Sequence, residues 1–281
     1  MDPKEAPSLL LRDITEISEL RAVEELQKEV WGVADREVFP ALALVPMIEV
    51  GGVLIGAFDK EDMVGFVFGF PGLENGRLIL HSDMLAVRSA YRRHGLGSQL
   101  KLAQRERALA NGFDTITWTF DPLQARNARL NFGKLGVIAD SYRTNYYGET
   151  TSFLHQTGTD RLWVTWRLDS ERVRRRIEGE QQTNLLTSEA ASILQVNEKE
   201  EPVAVTVEAV LENNLAIEIP ADINRMFERD AALARRWRAA TRDAFTKLID
   251  AGYTVSEFRF VEGAPGQVGQ YLLTSRDLTD V

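Results

Sequence analysis

The chain contains no cysteine, which excludes a disulfide scaffold, a thiolate metal site and a cysteine nucleophile, and leaves redox compartment unread. Histidine is scarce, with 3 in 281 residues. His81, His94 and His155 stand far apart with no acidic cluster beside them, so no metal site is expected. No stretch approaches the roughly 18 apolar residues that span a bilayer. The opening Met1-Asp2-Pro3-Lys4-Glu5-Ala6-Pro7 lacks the apolar core of a signal peptide, so a cytoplasmic protein without membrane contact is expected. Positive charge is also in short supply. Lys and Arg number 33 against 42 Asp and Glu, a formal charge of −9, which disfavours nucleic acid and anionic membrane as partners. Neither a Walker loop nor a Gly-x-Ser-x-Gly elbow occurs.

An apolar fraction of 44% is enough for one large packed domain or two smaller ones. Leu9 to Thr15 reads as a short strand, followed by Ser18 as a helix N-cap and Leu20, Val23, Leu26 and Val30 at helical spacing. Trp31 to Pro46 has no clean period and is interrupted by Pro40 and Pro46, which predicts an irregular helical region. Val53–Phe58 and Met63–Phe70 form a hairpin pattern around the polar turn 59–62, with another turn over Gly72 to Arg77. Leu78–Val87 is a further strand. It runs directly into Arg92-Arg93-His94-Gly95-Leu96-Gly97-Ser98 and a helix to about Ala110, closed by Asn111-Gly112. Thr115–Phe120, a short helix from Ala125 to Leu135 stopped by Gly136, and a strand over Asp160–Leu168 complete this part.

The strand–glycine loop–helix passage carries most of the functional signal. A helix start leaves about four N–H groups without intrahelical partners and presents the positive end of the dipole, which suits an anion. Gly95 and Gly97 let backbone approach a phosphate, and Arg92 and Arg93 add charge. The same pattern also fits a tight turn with solvated arginines, and His94 reads more simply as a solvated loop histidine.

Met84-Leu85-Ala86-Val87, followed by Tyr91 to Leu100 with Gly95-Leu96-Gly97 inside it, resembles the strand, pyrophosphate loop and helix of the GNAT superfamily of N-acyltransferases. Asn127-Ala128-Arg129-Leu130-Asn131-Phe132-Gly133-Lys134-Leu135-Gly136 is similar to the family's next helix. The likeness covers roughly residues 8 to 168 and implies an α/β fold of α+β type, with a mixed sheet splayed between its two central strands. It also implies acetyl-CoA or another acyl-CoA as co-substrate. Backbone of Leu85, Ala86 and Val87 would pair with pantetheine, N–H groups from Arg93 to Ser98 would hold the pyrophosphate, and Asn127 would lie near the cofactor arm. Phe132 stands where many relatives carry a proton-donating tyrosine, so the general acid is open among Tyr142, Tyr146 and Tyr147.

Direct acyl transfer to an amine needs a base for the ammonium proton, an oxyanion donor and a departing thiolate. His81 and Asp83, two apart on one strand, share a face that Leu85 and Val87 continue, and are the candidate bases; a structural hydrogen-bonding pair is the alternative. A small primary amine such as an amino acid is the expected acceptor, with acetyl or a larger acyl such as succinyl as the group moved. A non-catalytic acyl-CoA-binding or regulatory module is the second reading. Oligomeric state is open, a homodimer included.

The expected organisation is a GNAT-like domain over 1–170, a polar connector over 171–201 and a second α/β unit over 202–281 that has the look of a degenerate GNAT-like half. Arg172-Val173-Arg174-Arg175-Arg176 reads as a solvated helix face between Glu171, Glu178 and Glu180. Pro202–Val210 and Leu215–Ile219 suggest a hairpin around Glu212-Asn213-Asn214, and a long helix bears Leu233, Trp237, Ala240, Ala244 and Leu248. Asp250-Ala251-Gly252-Tyr253 before Val255–Phe260 echoes Ala110-Asn111-Gly112-Phe113 before Thr115–Phe120.

Overall fold

The structure, a computed structural model, describes residues 9–152, 155–179, 190–206 and 213–275. Two compact units emerge. The first takes the described residues up to Trp118 and those of 150–156; the second takes those of 119–149 and from Thr157 onward.

The first unit is built on strands β1 (Leu10–Asp13), β2 (Val53–Asp59), β3 (Asp62–Glu74), β4 (Arg77–Val87) and the start of β5 (Thr115–Phe120), side by side in that order. All neighbours are antiparallel except β4 and β5, which are parallel. Helix α1 (Ile17–Trp31) buries Leu20, Val23, Leu26 and Val30 on the sheet face formed by Leu54, Phe58, Phe66, Phe68, Met84 and Ala86. Each such side chain contributes about 1.5–3 kcal/mol. Helix α2 (Ala41–Glu49) joins the same face through Ala41 and Leu44, entered at Pro40 and carrying Pro46 inside. Helix α3 (Leu96–Ala110) covers the opposite face with Leu96, Leu100 and Ala108. The segment 150–156 is held to α1 and the loop after it: Ser152 donates to the Trp31 carbonyl and Thr151 N–H to Glu37.

In the second unit the strand order is β7 (Arg161–Arg167), β6 (Ile138–Arg143), β11 (Thr254–Gly263), β12 (Gly266–Thr274), β10 (Asn214–Pro220), β8 (Ala191–Val196) and β9 (Pro202–Ala204). The β6–β7 pair therefore shares a sheet with the C-terminal strands, joined at Val255↔Ala139. Helix α4 (Ala125–Ala128) runs into a π-helical turn, Arg129–Leu135, which ends at Gly136 in the left-handed region, φ 74. Helices α5 (Glu171–Ile177), α6 (Ile223–Arg229) and α7 (Ala231–Asp250) complete the unit. Its core is aromatic: Phe132, Phe245, Phe258 and Tyr271 meet edge to face, with Phe120 beside Phe132.

Several expectations are corrected. The cap position of α1 is Glu16, which makes no side-chain cap bond, and Ser18 lies inside the helix. The turn expected over Gly72 to Arg77 is tighter: β3 runs on to Glu74, and Asn75 and Gly76 make the reversal with φ 49 and 75. The segment from Ala125 is a single α-turn followed by a π-turn, not a regular helix. No hairpin joins β9 to β10; β8 intervenes, pairing antiparallel with β9 and parallel with β10. Positions 207–212, at the expected bend, lie outside the described residues. The polar stretch after Arg172 contains α5 and β8. Its basic run is only half solvated, because positions 172 and 176 share one helix face. Arg172 and Arg176 are buried, and both donate to the buried Glu257 carboxylate.

Among the described residues no helix is long and apolar enough to cross a membrane, and no group of His, Asp or Glu gathers as metal ligands.

Candidate active site

Strand β4 carries an irregularity that sequence periodicity does not reveal. Phe68 pairs with Met84 and Gly69 with Ser82, so Asp83 is the extra residue of a β-bulge. The bulge switches the faces. Leu80 and Ser82 point to the α3 side, as the Ser82–Gln104 bond requires, and Val87 lies there too, near Leu100. His81, by contrast, stands against Phe70, and Met84 and Ala86 join the core under α1 and α2. Leu85 and Val87 therefore do not continue the His81 face, which corrects the strict alternation expected from sequence.

The second feature is a fork. β4 and β5 pair only at Leu80↔Ile116 and His81↔Thr117, whereas β4 continues to Val87. Beyond His81, no β5 residue is paired with β4 among the described residues, so the β4 edge from Asp83 to Val87 is not bonded to β5, and its Val87 carbonyl accepts from Arg92. The fork opens toward the glycine loop.

Ser89–His94 forms a 3₁₀ turn, Gly95 takes φ 72, and α3 starts at Leu96. A Cβ on Gly95 would meet nothing within 4 Å, so glycine is needed there for its left-handed backbone and not for space. No side chain caps α3. Ser98 and Gln99 N–H turn back to the Gly95 carbonyl, and the first N–H groups of a helix have no partner within it. The loop is braced on both flanks. Arg92 donates to the Val87 carbonyl at 3.0 Å and the Tyr91 hydroxyl donates to Asp59 at 2.6 Å. His94 is exposed, and the Arg93 side chain lies outside what is described.

Residues 18–136 match the family model described as the acetyltransferase (GNAT) family. This stretch is a GNAT acetyltransferase domain. The match spans less than half of the chain, and the family is one of acyl-CoA-dependent N-acetyltransferases. No curated protein matches the chain in sequence. Among solved structures, a putative GNAT-family acetyltransferase from Desulfovibrio desulfuricans is 14% identical, with a TM-score of 0.45 over 57% of this chain and 99% of that one. The ribosomal-protein-S18-alanine N-acetyltransferase from Escherichia coli is 17% identical, with a TM-score of 0.45 over 57% and 94%. A putative acetyltransferase from Salmonella typhimurium, solved with acetyl-CoA, is 15% identical, with a TM-score of 0.45 over 58% and 95%.

At the closed end of the GNAT domain's fork, His81 Nδ1 lies 3.0 Å from the Thr117 hydroxyl. Burial, helped by the charge of Lys101, lowers the imidazole pKa to about 4. Desolvation raises the Asp83 carboxyl above the usual range, although the residue keeps open surface. On the α3 side, sequence reading missed a buried group: Lys101 donates to Ser82 Oγ at 2.7 Å and to Gln104 Oε1 at 3.3 Å, and its amine lies 3.7 Å from the centre of the Trp118 ring. A lysine in an otherwise helical run gives no sign of burial, so no sequence signal marked it.

The remaining expected residues belong to the second unit. Asn127 is exposed on α4. Phe132 is sealed in the aromatic core between Phe120 and Tyr271, and the Tyr271 hydroxyl donates to the Pro122 carbonyl at 2.7 Å. Tyr142 donates to Asp160 at 2.9 Å; burial and that carboxylate hold its phenol far above the usual range. Burial would raise Asp160, but the two Arg242 bonds and the Asn145 amide outweigh it and keep the carboxylate charged. Tyr146 is exposed and edge-on to Tyr147, whose hydroxyl lies 3.3 Å from the Thr119 hydroxyl on β5. Sequence reading also missed Asp121, which is buried and accepts from Arg238 at 2.7 Å.

Proposed function

We propose that the first unit binds acyl-CoA along the β4 edge and transfers the acyl group directly to a small primary amine such as an amino acid. The observation that carries this reading is the fork of β4 and β5, whose open edge runs from the Asp83 bulge into a left-handed Gly95 and an uncapped helix start. Main chain of Leu85, Ala86 and Val87 would pair with an amide-containing pantetheine arm, the Val87 carbonyl being shared with Arg92, and amides from Arg93 to Ser98 would hold a pyrophosphate, that of Ser98 being shared with the Gly95 carbonyl. Arg92 is partly committed to Val87, so its part is to hold the loop in place. Acetyl or a larger acyl such as succinyl is the group transferred.

In the step itself the amine nitrogen forms a bond to the thioester carbonyl carbon, the carbon–sulfur bond breaks, and the amine proton passes to a base. Asp83 is the better base of the expected pair. A carboxylate raised above its usual range binds a proton more firmly, while an imidazole held at about 4 binds one weakly. His81 stays neutral at neutral pH and helps orient the acceptor. The thiolate departs at a pKa near ~8.5 with little need of an acid. That fits a chain in which Phe132 offers no hydroxyl and Tyr142 is tied to Asp160.

Those last two observations also favour a second reading, an acyl-CoA-binding module without turnover. Calorimetric titration of acetyl-CoA, succinyl-CoA and CoA into the wild type and Gly97→Glu tests the site. Saturable binding that is lost in the variant is expected; no binding to the wild type sinks the proposal. Acceptor-dependent CoA release then separates the readings, with Asp83→Asn expected to lower kcat by about 100-fold. Binding without release across an amine panel favours the module, and an unchanged rate removes Asp83 from the chemistry.

A further inference from the structure

Ser82, Lys101 and Gln104 are buried together on the α3 side of the fork, and the proposed chemistry uses none of them. Lys101 is 2% exposed and forms no ion pair among the described residues. Its amine therefore has only the Ser82 hydroxyl, the Gln104 amide oxygen and the face of Trp118 in place of water. A buried lysine without a carboxylate is costly, and an apolar side chain of the same length would suit such a site at least as well for stability alone. A group kept against that cost is a candidate for a role other than packing.

Its position suggests what the role is. Ser82 on β4 and Trp118 on β5 each follow the last paired residues, His81 and Thr117. On one face of the junction His81 meets the Thr117 hydroxyl; on the other, Lys101 touches both strands. Gly69 on β3 closes the approach from the third side, because a Cβ there would come within 3.0 Å of Gln104 Nε2.

We propose that Lys101 is a positioning residue that pins β4 to β5 at the point where they part, through Ser82 and Trp118, and so sets the depth of the acyl groove and the placement of His81. This rests on the reading that the fork holds acyl-CoA, with the pyrophosphate at the glycine loop and the thioester toward the closed end. Burial holds the Lys101 amine well below the ordinary lysine range, and its charge is the second cause, after burial, of the low His81 value. Phe70 from β3, Thr117 from β5 and Lys101 from α3 are among the groups set around the imidazole.

The test uses the full chain with Lys101→Met and Ser82→Ala. Lys101→Met should melt at or above the wild-type temperature, raise the His81 NMR titration midpoint by roughly one unit, and raise the KM for acetyl-CoA several-fold with a smaller change in kcat. The preference for acetyl-CoA over butanoyl-CoA should fall by about tenfold. Ser82→Ala should show the same KM change while leaving the His81 midpoint in place. A merely structural lysine would move only the melting temperature, and wild-type KM values with an unmoved midpoint overturn the proposal. If Lys101→Met does not fold, a wild-type KM in Ser82→Ala overturns it equally. Should the wild type bind no acyl-CoA, the reading of the groove fails, while the His81 midpoint in Lys101→Met still reports whether Lys101 governs the junction.

Discussion

Helices α3 and α7 end alike and begin in opposite ways. At the exit, Asn111 and Ala251 N–H return to Arg107 and Lys247, Gly112 and Gly252 take φ 83 and 87, and Phe113 and Tyr253 N–H close back to Ala108 and Leu248. Both turns then feed a strand, β5 or β11. At the start, α3 has Gly95 and no side-chain cap, whereas Asp230 accepts from Leu233 N–H at 2.9 Å at the head of α7, and Asp222 accepts from Arg225 N–H at 3.1 Å at the head of α6. A carboxylate of the chain's own fills the place that an anion would take. The shared exit reflects what any helix needs before a strand. The difference lies at the start: α3 has no side-chain cap, and the two helices of the second unit are closed by an aspartate.

Buried charge divides the units in the same way. The first unit buries Lys101 without a carboxylate; the second buries Arg172 and Arg176 on Glu257, and Arg238 on Asp121. The largest expected effect follows from the second pattern. Glu257→Gln removes the carboxylate that the buried Arg172 and Arg176 share, and breaking such a set costs about 3–5 kcal/mol. Urea denaturation measures it. A loss below about 1 kcal/mol would mean that water or a rearranged arginine relieves the charge, and the contrast between the units would fall away.

How far the sequence revealed this follows from the range of each interaction. β2, β3, β4, α3 and β5 were legible because their residues repeat at strand or helix period and their ends carry Gly, Asn or Asp. β6 and β8 were not, since Ile138–Arg143 and Ala191–Val196 mix polar with apolar residues and make their case only through neighbouring strands. The Asp83 bulge is a property of two strands in register, so a single strand read alone looked regular. The burial of Arg172 and Arg176 depends on a glutamate about 80 residues away. The glycine loop was readable because its requirement is local backbone geometry. The Lys101 cluster was not, because it forms only when α3 lies across β4 and β5.

The next effect in size tests the first unit's neutral buried groups. His81 has an ordinary value of 6.5 and titrates at about 4 when folded. As pH falls below 6.5 the unfolded chain takes up the proton first. Stability present above pH 6.5 is therefore lost as pH falls toward 4, to a limit of roughly 3 kcal/mol. Asp83, raised in the fold, acts in the opposite sense: its contribution is present at low pH and is lost as pH rises. The difference between wild type and His81→Asn isolates the histidine. Denaturation midpoints between pH 4 and 7 should slope less in the variant; parallel curves would place His81 in water and remove it from the closed end of the fork.

The smallest effects bear most directly on the two helix starts. Asp230→Ala removes a cap and should cost about 1 kcal/mol. Gly95→Ala should cost about 1–2 kcal/mol, because alanine resists φ 72 although nothing stands in the way of its Cβ. Stability alone does not distinguish the two positions, but ligand binding does. Without its cap, α7 gains exposed amides and no fork beside them, so Asp230→Ala should leave acyl-CoA affinity unchanged. Gly95→Ala should weaken binding by more than its stability cost explains, because the strained turn reorients the Leu96 and Gly97 amides. Titration of acetyl-CoA into both variants reads the contrast. Equal affinities would mean that the left-handed turn serves only to reverse the chain, and that the phosphate-binding reading of the loop is wrong.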